Sequence, residues 1–147
     1  MGLGTHDIRC AAAQRTLVFE PRALASELAK QIPRAAFALL LGSAADGNVR
    51  RGSDLDVAVW YSGAASIPWR LLARTMAVVE AAVPGATCDL GVLNKAGCVY
   101  RFEALKGRLL FCRPRCVEVY TEFYTRTCRQ YEEYFVMLSR YNAWRAA

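Results

Sequence analysis

Histidine is almost missing from this chain: His6 is the single one in 147 residues. It stands in an N-terminal stretch, residues 1–16, that reads as a flexible end, so a histidine base or zinc ligand is not expected. The six cysteines, Cys10, Cys88, Cys98, Cys112, Cys116 and Cys128, include no Cys-x-x-Cys pair. Cys112 and Cys116 could share one side of a helix start, but two soft ligands without a histidine nearby make a weak metal site. The cysteines read as reduced thiols, several of them buried, which points to the cytoplasm. No apolar run is long enough to cross a bilayer, so no membrane association is expected. Met1–Glu20 lacks the apolar core and small-residue cleavage pattern of a secretory signal. No internal repeat and no linker interrupts the chain.

What is present is the material of one globular domain. Hydrophobic residues make up 54% and charged residues 22%, which excludes fibrous and fully disordered readings. Residues 17–147 form the expected domain, with a core over 35–93 and a helical C-terminal part over 98–144. The net charge of +6 is carried mainly by arginine, and surplus positive charge can steer phosphates, nucleic acid or an acidic protein toward a surface. The arginines recur from Arg9 to Arg145 instead of gathering in a tail. Direct nucleic-acid binding is therefore not expected, and most of them read as a solvated basic surface.

Pro21 followed by a stripe of Leu24, Leu28 and Ile32 predicts a helix that Pro33 stops. Ala35–Leu41 is a short apolar run emptying into Gly42-Ser43, read as a buried strand ending in a tight turn. Ala44–Ser53 reads as a short helix that finishes as loop. Leu55, Val57 and Val59 alternate with Asp54, Asp56, Ala58 and Trp60, the period of a strand with one face toward a core. Ser62–Ser66 reads as a loop, and Pro68 opens a helix to about Val83 with Leu71, Leu72, Met76 and Val79 inward. Thr87–Leu93 reads as a third strand, Tyr100–Leu105 as helix and Arg108–Phe111 as a short edge strand. Pro114 to about Tyr141 predicts one long helix with Val117, Tyr120, Tyr124, Tyr131, Phe135 and Leu138 along one side. This order predicts an α/β (α+β) fold, a small mixed sheet flanked by helices and followed by a long C-terminal helix. That last helix is too aromatic for one narrow stripe, so part of it is expected to be partner surface or a homo-oligomer seam, with core packing as the alternative.

The chemistry concentrates between Leu41 and Val57. Asp54 and Asp56 are alternate strand residues and share a face, where two carboxylates repel unless a cation lies between them. Hard oxygen ligands of this kind suit Mg²⁺ completed by water and phosphate oxygens. A Gly42-Ser43 turn after a buried strand presents free backbone N–H groups, which favours phosphate. No Gly-Lys-Ser/Thr follows the strand, which excludes a P-loop. If the third strand lies beside Asp56, Asp89 completes a cluster of three acids able to hold two metal ions. Each piece alone has a plainer explanation: a turn glycine, a loop-capping Ser53-Asp54, an edge-strand charge.

Gly-Ser, a spacer, then Ser53-Asp54-Leu55-Asp56 resembles the signature of the polymerase-beta-like nucleotidyltransferase superfamily. The short single domain is most similar to its minimal nucleotidyltransferases, and more narrowly to the antitoxin partners of HEPN-domain toxins (type VII toxin–antitoxin systems). The resemblance covers about 35–93 and implies that Gly42 and Ser43, with Ser53 and Arg51, bind the triphosphate. It also implies that Asp54, Asp56 and Asp89 hold two Mg²⁺. The implied reaction moves AMP from ATP to a tyrosine hydroxyl on a cognate HEPN ribonuclease toxin. One departure stands out: many members read Gly-Ser-x-Ala-Arg-Gly, where this chain has Asp46 before Gly47. Either Arg50 or Arg51 supplies the missing positive charge, or both are solvated loop residues and activity is weak. Two other functions compete: a transferase acting on a small hydroxylated molecule or an RNA 3′ end, and a non-catalytic antitoxin that works by occlusion.

Overall fold

The computed structural model describes residues 16–63 and 66–147. His6, Cys10 and the expected flexible N-terminus up to residue 15 lie outside the described residues. The elements are β1 (Thr16–Val18), α1 (Pro21–Gln31), β2 (Ala35–Leu40), β3 (Asn48–Arg50), β4 (Asp54–Tyr61), α2 (Trp69–Ala82), β5 (Thr87–Val92), α3 (Cys98–Leu105), β6 (Arg108–Cys112) and α4 (Val117–Ala146). Short 3₁₀ turns occupy Gly42–Asp46, Leu93–Lys95 and Pro114–Cys116.

Four strands make a mixed sheet in the order β5-β4-β2-β6, and β1 and β3 form a separate antiparallel ribbon. β2 is antiparallel to both β4 and β6, whereas β4 and β5 run parallel. The all-apolar Ala35–Leu40 sits in the middle because every residue in it is buried, on both faces. β6 closes one edge, as the sequence suggests. At the other edge, the Glu80 carboxylate on α2 accepts the free Cys88 amide of β5 at 3.0 Å, satisfying part of an open strand.

The β4 alternation separates two layers. Leu55, Val57, Val59 and Tyr61 pack with Leu24, Leu28 and Ile32 of α1 and with Val78 and Val79 of α2. The opposite face meets α3 and α4 through Phe37, Leu39, Ala58, Ala104 and Phe123. Arg113 locks α1 to the sheet edge by donating from Nε to the Ala35 carbonyl at 2.6 Å and from Nη2 to Ala29 and Ile32 carbonyls at 2.6 and 3.0 Å.

Three details differ from the sequence expectation. Asn48–Arg50 is a strand, because β1 supplies a partner that local composition does not announce. In α2 the buried residues are Thr75, Val78 and Val79; Leu71, Leu72 and Met76 are only partly covered. The stripe of α4 is rotated: Phe123 and Thr127 are buried, while Val117, Tyr124, Phe135 and Leu138 are exposed. Aromatic content misplaced that stripe, since helix phase is set by what the sheet offers to pack against. Among the described residues no helix is long and apolar enough to cross a membrane, and Cys88, Cys98, Cys112, Cys116 and Cys128 are free thiols.

Candidate active site

β2 ends at Leu40, and the Leu41 amide donates to the Asp56 carbonyl at 2.9 Å, which brings the following turn against the start of β4. Gly42 then takes φ +66°, a left-handed conformation that a side chain would strain. A Cβ placed on Gly42 would lie 3.8 Å from Asp56 Oδ2, so the carboxylate and the turn are immediate neighbours. Among the described residues no side-chain cap bonds the start of the 3₁₀ turn Gly42–Asp46, where the amides of Gly42 and Ser43 come first. Ser43 is exposed.

Asp54 and Asp56 point to the same side of β4, about 7 Å apart along the strand. The parallel register places Asp89 of β5 directly opposite Asp56, at an inter-strand spacing of about 4.8 Å. The three acids therefore share the face covered by α3 and α4, at the end of the sheet where the Gly42 turn begins. Burial, then Asp89, then Asp54 push the Asp56 carboxyl above its usual range. Cys88 points the other way into the α1/α2 layer, where burial, Glu80 and the two nearby aspartates push its thiol up to about 12. It is a core residue and a poor nucleophile.

The remaining two predicted residues, Ser53 and Arg51, are placed by other contacts. Ser53 is half-buried behind the Gly52 turn, and its amide donates to the Arg50 carbonyl at 2.9 Å. Arg51 is exposed, and its Nε lies 3.9 Å from where a Cβ on Gly85 would stand, beside the turn into β5. Two residues to which the sequence reading gave no role at the site do join it. Arg108 opens β6 opposite Leu40, and its Nη1 donates to the Ala45 carbonyl at 3.5 Å. Tyr100 of α3 lays its phenol across Gly91, where an added Cβ would collide with the hydroxyl. Burial, then Asp89 and Asp56, raise its pKa. Neither is local in sequence to the acidic pair, and only the Gly91 gap hints that something large rests on β5.

The three carboxylates form no hydrogen bond or ion pair among the described residues, where the one salt bridge joins Lys106 to Glu103. Nor, among the described residues, do three acid, cysteine or histidine side chains close around one point that could hold a metal. Unneutralised, mutually repelling acids beside a phosphate-compatible turn fit a divalent cation that takes its other ligands from phosphate and water. They do not fit a closed all-protein site.

The family model for polymerase beta nucleotidyltransferases matches residues 24–115, a span that includes the Gly42 turn, all three acids and Arg108. The chain belongs to this nucleotidyltransferase family. A comparison with curated protein sequences returns no match. Solved structures do resemble this nucleotidyltransferase. A chain from the crystal structure of a toxin–antitoxin complex with AMP-PNP superposes with a TM-score of 0.62 at 20% identity, over 88% of this chain and 100% of its own. A chain from a complex of a tri-AMPylated Shewanella oneidensis HEPN toxin with an MNT antitoxin gives 0.57 at 18% identity, over 87% and 100%. A third, from a toxin–antitoxin complex of MntA in which two aspartates two positions apart are replaced by glutamate, gives 0.61 at 18% identity, over 88% and 100%. At these identities the likeness is one of fold.

Proposed function

We propose that this nucleotidyltransferase is the antitoxin of a toxin–antitoxin pair and transfers AMP from ATP to a tyrosine hydroxyl of a HEPN-domain toxin. The observation that supports the proposal is the register of Asp89 opposite Asp56, which lies two residues along β4 from Asp54 and against the Gly42 turn. The AMP-PNP and tri-AMPylated-toxin complexes of the structural neighbours support the nucleotide and the acceptor.

In this reading Gly42 and Ser43 hold the triphosphate through backbone amides and the Ser43 hydroxyl, with Arg108 adding a positive charge at the same turn. Ser53 and Arg51 belong to the edge of the nucleotide site. Asp54, Asp56 and Asp89 would hold two Mg²⁺, which when bound neutralise phosphoryl charge and acidify the acceptor hydroxyl. The tyrosine oxygen attacks the α-phosphorus, its proton passes to the Asp89 carboxylate, and the bond from the α-phosphorus to the bridging oxygen of pyrophosphate breaks.

Incubating the purified chain with α-labelled ATP, Mg²⁺ and its HEPN partner should label the toxin. Asp56→Ala and Asp89→Ala should each reduce labelling by about 1,000-fold while circular dichroism stays unchanged. Labelling by either variant at the parental rate removes the assignment. A screen of aminoglycosides and RNA 3′ ends with the same nucleotide separates the other acceptors.

Asp46, exposed at the end of the turn, favours a second reading in which the antitoxin only occludes its toxin. Arg108 weakens that reading, since its guanidinium reaches the carbonyl of the residue next to Asp46. An Asp56→Ala variant that silences the toxin as well as the parent would make occlusion the mechanism.

A further inference from the structure

Of the seven tyrosines in the chain, Tyr100 is the one whose hydroxyl rests on the strand that carries Asp89. Five others belong to α4. Tyr61 faces the α1/α2 layer, where it is buried and donates its hydroxyl to Thr75 Oγ1 at 2.9 Å. Tyr100 lies in the first turn of α3, and its hydroxyl stands where a Cβ on Gly91 would be. Residues 89 and 91 share a face of β5, about 7 Å apart along the strand. Across the ladder they pair with Asp56 and Ala58. The phenol oxygen is therefore one side-chain step from the pair Asp89 and Asp56, on the same face, and the charges of both carboxylates reach it.

This contact is more than packing. Among the described residues the Tyr100 hydroxyl has no hydrogen-bond partner, whereas that of Tyr61 is spent on Thr75. Tyr100 is also 38% exposed, so the ring is not enclosed and can tilt toward the acids. Its seat depends on Gly91, because any side chain there would push the ring off β5. In the transfer reaction proposed above, the acceptor is a tyrosine hydroxyl and Asp89 takes its proton. A tyrosine of the chain itself already stands on that side of the site, so no association step has to precede the transfer.

We propose that, without a protein acceptor, the chain transfers AMP to its own Tyr100 within one molecule. The proposal rests on the transfer reading and adds an internal acceptor to it. Tyr100 Oη attacks the α-phosphorus of ATP and its proton passes to the Asp89 carboxylate. The bond from the α-phosphorus to the bridging oxygen breaks, and pyrophosphate leaves. The product is an adenylylated tyrosine held over β5.

The intact chain should be incubated with ATP and Mg²⁺ and no toxin. Its mass should rise by a single AMP, and fragmentation of the modified peptide should put that AMP on Tyr100. Tyr100→Phe and Asp56→Ala should each lose the mass gain. The rate per chain should hold constant over about a tenfold dilution, as for a step within one molecule. Asp56→Ala keeps Tyr100 but lacks a working acid cluster, so it should stay unmodified when mixed with active Tyr100→Phe. AMP on Asp56→Ala in that mixture would overturn transfer within one molecule. A parent that gains no AMP, or gains it on another residue, overturns the inference, and this mapping decides the site even where Tyr100→Phe fails to fold. If such a parent still labels a HEPN toxin, the transfer reading stands without the internal acceptor. A parent that modifies Tyr100 and labels no toxin would uphold the inference and remove the toxin as acceptor.

Discussion

The two faces of the central sheet are built from the same strands and do opposite work. Toward α1 and α2, β4 presents Leu55, Val57, Val59 and Tyr61, all at 2% exposure or less. Toward α3 and α4, the same strand presents Asp54, Asp56, Ala58 and Trp60, and packing begins only at Ala58. The first face has no chemistry because it is completely covered. The second is covered at one end of the strands and open at the other, and the carboxylates occupy the open end. Period-two alternation thus lets one eight-residue strand anchor the core and supply the site, with each residue committed to one task.

Substitutions on the two faces should separate those tasks. The largest stability effect is expected on the covered face. Leu28→Ala removes a side chain with no exposure from the contact between α1 and the sheet and should cost about 3 kcal/mol. Urea unfolding monitored by tryptophan fluorescence would measure it, and the folded fraction should transfer nucleotide at the parental rate. A loss of activity per folded molecule would mean that the faces are coupled.

Next comes the boundary between them. Gly91 has no Cβ and Tyr100 occupies the space, so Gly91→Ala must displace the phenol from beside Asp89. A reduction of about tenfold in the transfer rate is expected, with a smaller change in stability. Tyr100→Ala in the same chain should make the added methyl harmless, because the colliding ring is gone. Additive effects in this double-mutant cycle would show that the gap and the ring are unrelated.

The covered face was legible in the sequence and the open face only in part, for a physical reason. Leu24, Leu28 and Ile32, the run 35–40 and the alternation of β4 are local patterns set by burial, and period alone locates them. The acid pair and the Gly42 turn are local too, and the family resemblance rests on them. Arg108 and Tyr100 reach the site through the order β5-β4-β2-β6 and through the seat of α3 on the sheet, which no short window contains. The same limit explains β3, whose partner β1 lies thirty-odd residues upstream. It also explains α4, where many aromatics could have faced inward and the sheet had room for few.

The smallest effect tests whether the open face trades stability for function. Burial and the charges of Asp89 and Asp54 raise the Asp56 pKa above its ordinary 3.8, so the folded state holds this proton more tightly than the unfolded chain. Stability linked to the group is then fully present below the unfolded value and declines as pH rises through the folded one, leaving the ionised cluster destabilising at neutral pH. Asp56→Asn removes the charge and keeps the shape. It should raise Tm at pH 7 by about 2 °C in the absence of divalent ions while abolishing transfer. The gain should shrink toward zero at pH 3, where the parental carboxyl is already protonated. Millimolar Mg²⁺ should stabilise the parent more than Asp56→Asn, since a cation relieves a repulsion that the variant no longer carries. A Tm for Asp56→Asn at or below the parent's at pH 7 would show instead that the carboxylate contributes to the fold, and that the two faces of β4 are less separate than their packing implies.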